Sequence, residues 1–345
     1  MATADITVRG AGIFGLSIAW ACARRGAAVQ VVDPHGPAAG ASGGIVGALA
    51  PHVPENWNAK KQFQLESLLM AEAFWEHVAE AGGRTPGYAR AGRVQPLADA
   101  HAVELARGRS AGAGSLWQGQ ATWEVRPAGN TTWHLPSASG YEVFDTLSAH
   151  IHPQQACAAL VAALGAQGVQ VTPDAPDQGL TVHATGVAGL EALNAGHTRL
   201  VGAGIKGQAA LLDHAANGAP QLFVDGLHII PHADGTTAIG STTEREYHDA
   251  NGSDALLDAV IDRARARVPA LRAAPVLARW AGLRPRSRSR APMLGAWPDR
   301  PGHFIANGGF KIGFGMAPKV AEVMVDLMLE GRNAIPPGFE VEASL

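Results

Sequence analysis

The chain has 345 residues, 47% of them hydrophobic and 42 of them glycine, with a formal net charge of −3. That length exceeds one ordinary core and suits two domains. The weakly acidic balance gives no bulk electrostatic case for nucleic acid, and no apolar run reaches the roughly 20 residues needed to cross a bilayer.

The first element is a short strand around Ile6 and Val8. Gly10, Gly12 and Gly15 follow as G-x-G-x-x-G, and residues 13–24 read as a helix rich in Ala and Leu. Gly26 ends that helix in a left-handed cap, and AAVQVVD is a second strand closing on Asp33. Strand, glycine turn, helix, strand and acid meet the mechanical demands of a dinucleotide site. One glycine allows the tight turn, the next lets backbone approach a pyrophosphate, and the third lets helix pack close to strand. The helix N-terminus offers free N–H groups to the phosphates. Asp33 is placed to accept from a ribose diol, which favours FAD or NAD over NADP.

Residues 34–57 are dense in Gly, Ala and Pro. The apolar IVGALAP within them suits backbone lying flat against a planar ligand better than it suits a linker. Residues 59–82 read as an amphipathic helix, with Phe63, Leu65, Leu68, Leu69, Phe74, Trp75 and Val78 at helical spacing. Residues 84–140, with Trp117, Trp123 and Trp133, read as short strands and turns of a second domain. Residues 153–165 form a helix with Pro153 near its start. GVQV is a strand, and residues 179–186 form another that ends in a glycine turn. Residues 200–248 carry strands, with a hairpin turn at residues 232–235. Residues 253–267 are helical, and the chain closes on a strand, a glycine-rich turn and a long helix starting near Pro318. The β-rich stretches lie between nucleotide-type segments, so the domains interleave: 1–83, 145–200 and 280–345 for the cofactor, 84–144 and 201–279 for the substrate. The two cysteines, Cys22 and Cys157, read as small core residues rather than a disulfide. The chain enters its first strand with no signal peptide, and the expectation is a cytoplasmic protein. The 14 histidines show no metal-ligand spacing, so no metal is expected.

Five segments, in order, resemble the D-amino-acid oxidase and glycine oxidase family of flavoproteins. GAGIFG with Asp33 resembles the FAD fingerprint, and GASGGIVGALAP the flavin-covering segment. TVHATGVAG resembles the strand and turn that return to the cofactor. LHIIPHADGTTAIGSTTE is similar to the substrate-domain strands, and WAGLRPRSRSRAPMLG with NGGFKIGFGMAP to the terminal pair. The resemblance covers most of the chain. It implies an α/β fold in which a Rossmann-like FAD-binding domain is interleaved with a substrate domain of mixed β-sheet plus helices. It also implies oxidation of a C–N bond of a small amino acid or secondary amine. A hydride passes from the carbon next to the nitrogen to flavin N5, and the imine is then hydrolysed. The electrons go on to oxygen or to another acceptor. The FAD is expected to be non-covalent, because relatives that tether it use a cysteine near the Leu283 region and neither cysteine lies there.

The resemblance also assigns residues. Arg284 matches the arginine that holds the substrate carboxylate. His228 stands where glycine oxidase has a tyrosine, and Lys311 where relatives often have arginine. These three form the expected catalytic set. The expected cofactor contacts are Gly10, Gly12, Ile13, Phe14, Gly15, Asp33, Ser42, Gly43, Gly47, Ala48, Leu49, Val171, Thr185, Gly186 and Arg284, with Gly308, Gly309, Phe310, Lys311, Ile312 and Gly313 from the last turn. Two departures stand out. Gly309 replaces a usual histidine. Arg286, Arg288 and Arg290 form an RSRSR run, read either as a solvated face or as an entrance tuned to a substrate with more than one negative group. GASGGIVGALAP also resembles the flavin domain of the bacterial enzyme that modifies the tRNA wobble uridine. The alternative reaction is therefore oxidation of a carboxymethylaminomethyl group on tRNA, although the acidic net charge disfavours nucleic acid.

Overall fold

A computed structural model describes residues 3–345. In chain order the elements are β1 (Ile6–Arg9), α1 (Ile13–Arg24), β2 (Val29–Val32), β3 (Ala48–Leu49), α2 (Ala59–Gly82), β4 (Arg93–Pro96), α3 (Ala100–Leu116), β5 (Trp123–Pro127), β6 (Tyr141–Asp145), β7 (Ala149–His150) and α4 (Pro153–Ala166). There follow β8 (Val171–Thr172), β9 (Leu180–His183), α5 (Gly186–Ala195), β10 (Gly202–Leu212), β11 (Gln221–Val224), β12 (Leu227–Pro231), β13 (Thr237–Gly240), α6 (Ala255–Arg267), β14 (Val276–Ser287), β15 (Met293–Ala296), β16 (His303–Asn307) and α7 (Gly313–Glu330).

The strands separate into two large sheets. The first has the order β15-β16-β9-β1-β2-β8; it is parallel from β16 to β8, and β15 joins antiparallel. Ile6, Val8, Val31 and Val182 are fully buried in its middle, as expected of parallel strands covered on both faces. The second has the order β14-β10-β13-β12-β11-β4-β6-β5 and is antiparallel except where β11 meets β4. α1, α2, α4 and α7 pack on one another beside the first sheet, and α6 covers β10, β12 and β13 of the second. The chain passes between the sheets several times, giving the interleaved α/β architecture.

Local chemistry sets both ends of α2. Asn58 caps α2 by accepting from the Lys61 N–H at 3.1 Å, and Gly83 ends it at φ +62°. The helix buries Phe63, Leu65, Leu68, Trp75 and Val78, the face anticipated from their spacing.

Four expectations need correction. Residues 84–140 contain α3, a 17-residue helix capped by Asp99. Gly108, Gly112, Gly114 and two serines weaken its signal, and only Val103, Ala106 and Ala113 are buried. The glycine turn expected at Gly186 instead opens α5. α7 starts at Gly313 rather than near Pro318, which lies inside the helix. The next residue, Lys319, donates its N–H to Ser67 Oγ of α2 at 3.2 Å, a side-chain bond within the turn that the proline interrupts. Finally, a boundary at residue 280 falls inside β14, which pairs with β10 of the second sheet along its length.

Candidate active site

A cavity of about 1130 Å³ lies between the carboxyl ends of β1, β2 and β9 and the inner face of the second sheet. Open parallel sheets hold ligands at this end.

Its first wall is the turn between β1 and α1. Gly10 has φ +104°, and a Cβ there would sit 2.4 Å from the Ala184 carbonyl oxygen, so only glycine fits. A Cβ at Gly15 would lie 1.9 Å from the Gly10 oxygen, so that glycine allows helix and strand their contact. The Asp33 carboxylate accepts from the N–H groups of Ala11 (2.7 Å) and His35 (2.9 Å) and faces the cavity. Ser42 Oγ accepts from the Ile13 N–H at 2.9 Å. Ser42 takes up that first N–H, but no acidic side chain lies in the first turn of α1, so its positive end still favours an anion. A glycine cradle, a ribose-side carboxylate and a helix N-terminus without an acid fit the dinucleotide half of FAD.

The opposite wall comes from the second sheet. Trp280, Gly282 and Arg284 share one face of β14. A Cβ on Gly282 would lie 2.6 Å from the Trp280 ring, and one on Gly207 would lie 1.7 Å from Arg284 Nη1. Gly207 and Gly282 are partners in the β10–β14 ladder. This pair of glycines lowers the sheet surface so that an indole and a guanidinium can lie across it. Arg284 is 9% exposed and has no carboxylate partner among the described residues; its side-chain bond is Nη1 donating to the Thr242 carbonyl at 3.2 Å. Burial draws its pKa down to about 10, partly opposed by Glu244, so it stays charged at neutral pH.

His228 on β12 lines the same cavity, packed on Phe223 with ring centroids 4.6 Å apart. Its Nδ1 is buried without a partner. Burial, then the cations Arg93, Lys311 and Arg284, push its pKa down to about 3, so the ring is neutral. Arg93 is held by buried Asp145 at 3.0 Å. Lys311 Nζ donates to Thr243 Oγ1 at 2.7 Å. The turn from Gly308 to Ile312 then leads into α7, whose N-terminus also borders the cavity.

All the residues expected to act in catalysis or to hold the cofactor line this cavity except Gly15, Gly43 and Val171, and Arg286, Arg288 and Arg290 of the RSRSR run do not border it. Gly15 packs behind Gly10, Gly43 turns against the Ala38 carbonyl, and Val171 sits on the two-residue edge strand β8 beside β2. A Cβ on Gly309 would lie 2.9 Å from the Phe14 ring, so Phe14 takes up space beside this position. Arg288 is also corrected: its guanidinium turns to the main-chain oxygen of Leu345 and does not border the cavity. Sequence reasoning passed over Gly207, Trp280 and Arg93. Trp280 heads the segment that carries Arg284, and a lone aromatic two residues from a glycine on a strand was the available signal. Gly207 and Arg93 gave no local signal, because their roles come from strands far away in the chain.

Fold and cavity together define a dinucleotide-dependent oxidoreductase built on two sheets. A family model described as "DAO: FAD dependent oxidoreductase" matches residues 5–327, and the chain belongs to that family. Glycine oxidase from Pseudomonas putida is 31% identical over 134 residues, covering 39% of this chain and 37% of that protein. The tRNA 5-methylaminomethyl-2-thiouridine biosynthesis bifunctional protein MnmC from Maricaulis maris is 27% identical over 347 residues, covering 96% of this chain and 54% of its own. Each match therefore spans less than two thirds of the relative. The crystal structure of glycine oxidase from Geobacillus kaustophilus superimposes with a TM-score of 0.82 at 20% identity, covering 98% of both chains, which establishes the shared fold.

Proposed function

We propose that the protein oxidises the C–N bond of a small amino acid or secondary amine, with FAD held non-covalently. The observation that carries this reading is Arg284: a buried guanidinium without a carboxylate partner, set in a groove made by two glycines and facing the cavity. A bidentate fork in that setting suits a carboxylate. FAD, when bound, would supply the two-electron chemistry, as acceptor of a hydride from the carbon beside the amine.

The protein's own part is orientation and electrostatics. Arg284 anchors the carboxylate and turns the amine-bearing carbon toward the glycine turn. Neutral His228 offers a hydrogen bond without adding charge. Lys311, held by Thr243, sets a positive charge beside that turn. The imine leaves the site to be hydrolysed by water. Both cysteines are buried and neither lines the cavity, the Cys157 thiol lying behind its wall at 4.0 Å from the Ser42 carbonyl oxygen, which supports non-covalent FAD. These buried, unpaired thiols, and the absence among the described residues of any helix long and apolar enough to cross a membrane, support a cytoplasmic location.

The test is anaerobic mixing of the yellow protein with glycine, sarcosine, proline, D-amino acids and iminodiacids. Bleaching by one class is expected, and air then distinguishes oxygen from another acceptor. Acid precipitation is expected to release all the colour. The second reading, oxidation of a carboxymethylaminomethyl group on tRNA, is supported by the M. maris alignment along 96% of this chain. Failure of every small amine, together with a salt-sensitive gel shift on tRNA, would decide for it.

A further inference from the structure

Arg284 is the innermost member of a larger cationic array. On β14, Arg286 leaves the same face two residues later, a spacing of roughly 7 Å along a strand. Its guanidinium carbon lies 5.5 Å from the Phe310 ring centroid, and Lys311 Nζ lies 5.8 Å from the same ring. Phe310 and Lys311 both border the cavity. Beyond them, Lys60 Nζ donates to the Arg290 carbonyl at 2.6 Å, which joins the start of α2 to the loop after β14. Lys60 also lies close enough to His52, a cavity residue, to lower its pKa. Arg245 completes the group from the segment after β13, near enough to Arg286 to repel it.

Among the described residues, none of Lys60, Arg245, Arg286, Arg290 and Lys311 has a carboxylate within ion-pair distance. Elsewhere in the chain several cations are paired, among them Arg25 and Arg332 with Asp326, Arg109 with Glu55 and Lys319 with Glu66; those that are not are single charges rather than a group gathered beside the cavity. The chain carries more acidic than basic residues, 30 against 27, so carboxylates are not scarce. Like charges gathered without counter-charge cost energy that an anion would recover.

We propose that Arg286, Arg290 and Lys60 form a second anion subsite beside the cavity, and that the substrate is an amino diacid: one carboxylate on Arg284 and a second, a short aliphatic distance away, on this outer group. The proposal rests on the assignment of Arg284 to the substrate carboxylate. It replaces the role that the sequence suggested for Arg288, whose guanidinium is engaged by Leu345. A small diacid fits better than a polyanion, because the array is local and the whole chain is acidic.

The test is binding, independent of turnover. Acetate, malonate, succinate and glutarate are titrated into the FAD-loaded protein and followed by calorimetry and by the visible spectrum. At least one dicarboxylate is expected to bind roughly tenfold more tightly than acetate. In Arg286→Gln and in Lys60→Gln that preference should collapse toward unity. A wild-type protein that does not discriminate overturns the proposal. So do variants that keep the preference, and so does a tRNA that binds through Arg286 while no dicarboxylate is preferred. Dicarboxylate preference with no amine able to bleach the flavin would uphold the subsite and remove the amine-oxidising reading.

Discussion

Arg284→Lys will lower kcat/KM for the amine substrate by roughly two orders of magnitude, because the carboxylate loses one of its two charge-assisted bonds and with it the orientation of the reacting carbon. Lysine keeps the charge but lacks the planar fork that holds both carboxylate oxygens. The companion variant is more telling. In Gly207→Ala the new Cβ would lie 1.7 Å from Nη1, 2.1 Å from Cζ and 2.2 Å from Nη2 of Arg284. The guanidinium must leave its groove, although no group that touches substrate has been altered. We expect a loss close to that of Arg284→Lys, with FAD content unchanged, because Gly207 lies in the second sheet and does not border the dinucleotide cradle. Steady-state kinetics on both variants, with the flavin-to-protein ratio measured alongside, checks this. A Gly207→Ala enzyme with wild-type KM would show that the substrate carboxylate does not bind at the Arg284 guanidinium.

The same contrast explains what could be read from the chain. The Gly10 turn, Asp33 and the helix after them lie within one local unit, and each has a mechanical reason visible in its own residues. Arg284 was legible because Leu283 and Pro285 set it in a recognisable segment. Gly207 was not, since its meaning depends on β10 pairing with β14, some 75 positions away (Gly207 opposite Gly282). The helix α3 was hidden for another reason. Its three glycines and sparse buried face give little helical periodicity, and it is held by the Asp99 cap and by packing on β5. Pro318 misled in the opposite direction. A proline normally marks a first turn, but here the glycine-rich run before it is already helical. Arg288 illustrates the limit for charge runs: alternation keeps Arg284 and Arg286 on one face of β14, toward Trp280 and Phe310, but the strand ends at Ser287 and the turn that follows sends Arg288 toward Leu345.

The seam between the two sheets will make the fold acid-sensitive well above the carboxylate range. His232 lies in the turn after β12, and its Nε2 bonds the Ile45 carbonyl at 2.9 Å, on a residue that borders the cavity. The His152 ring lies 4.6 Å from it, with Nε2 3.6 Å from Asp234. Burial pushes His150 and His232 down to about 4, with mutual repulsion adding for His150, and burial with nearby cations pushes His228 to about 3. In the unfolded chain each titrates near 6.5. Between pH 6.5 and 4 the unfolded state therefore binds protons that the folded state refuses, and stability falls as pH falls. Each buried histidine contributes a slope of up to about 1.4 kcal/mol per pH unit, enough for the three together to consume much of an ordinary stability within two units. Urea unfolding of the FAD-loaded protein at pH 7, 6 and 5 should show the midpoint dropping steeply. His232→Gln keeps a donor for the Ile45 carbonyl but does not titrate, so it should flatten the slope by close to one proton. An unfolding midpoint that stays constant from pH 7 to 5, or a glutamine variant with the wild-type slope, would mean that these rings accept protons without disturbing the seam.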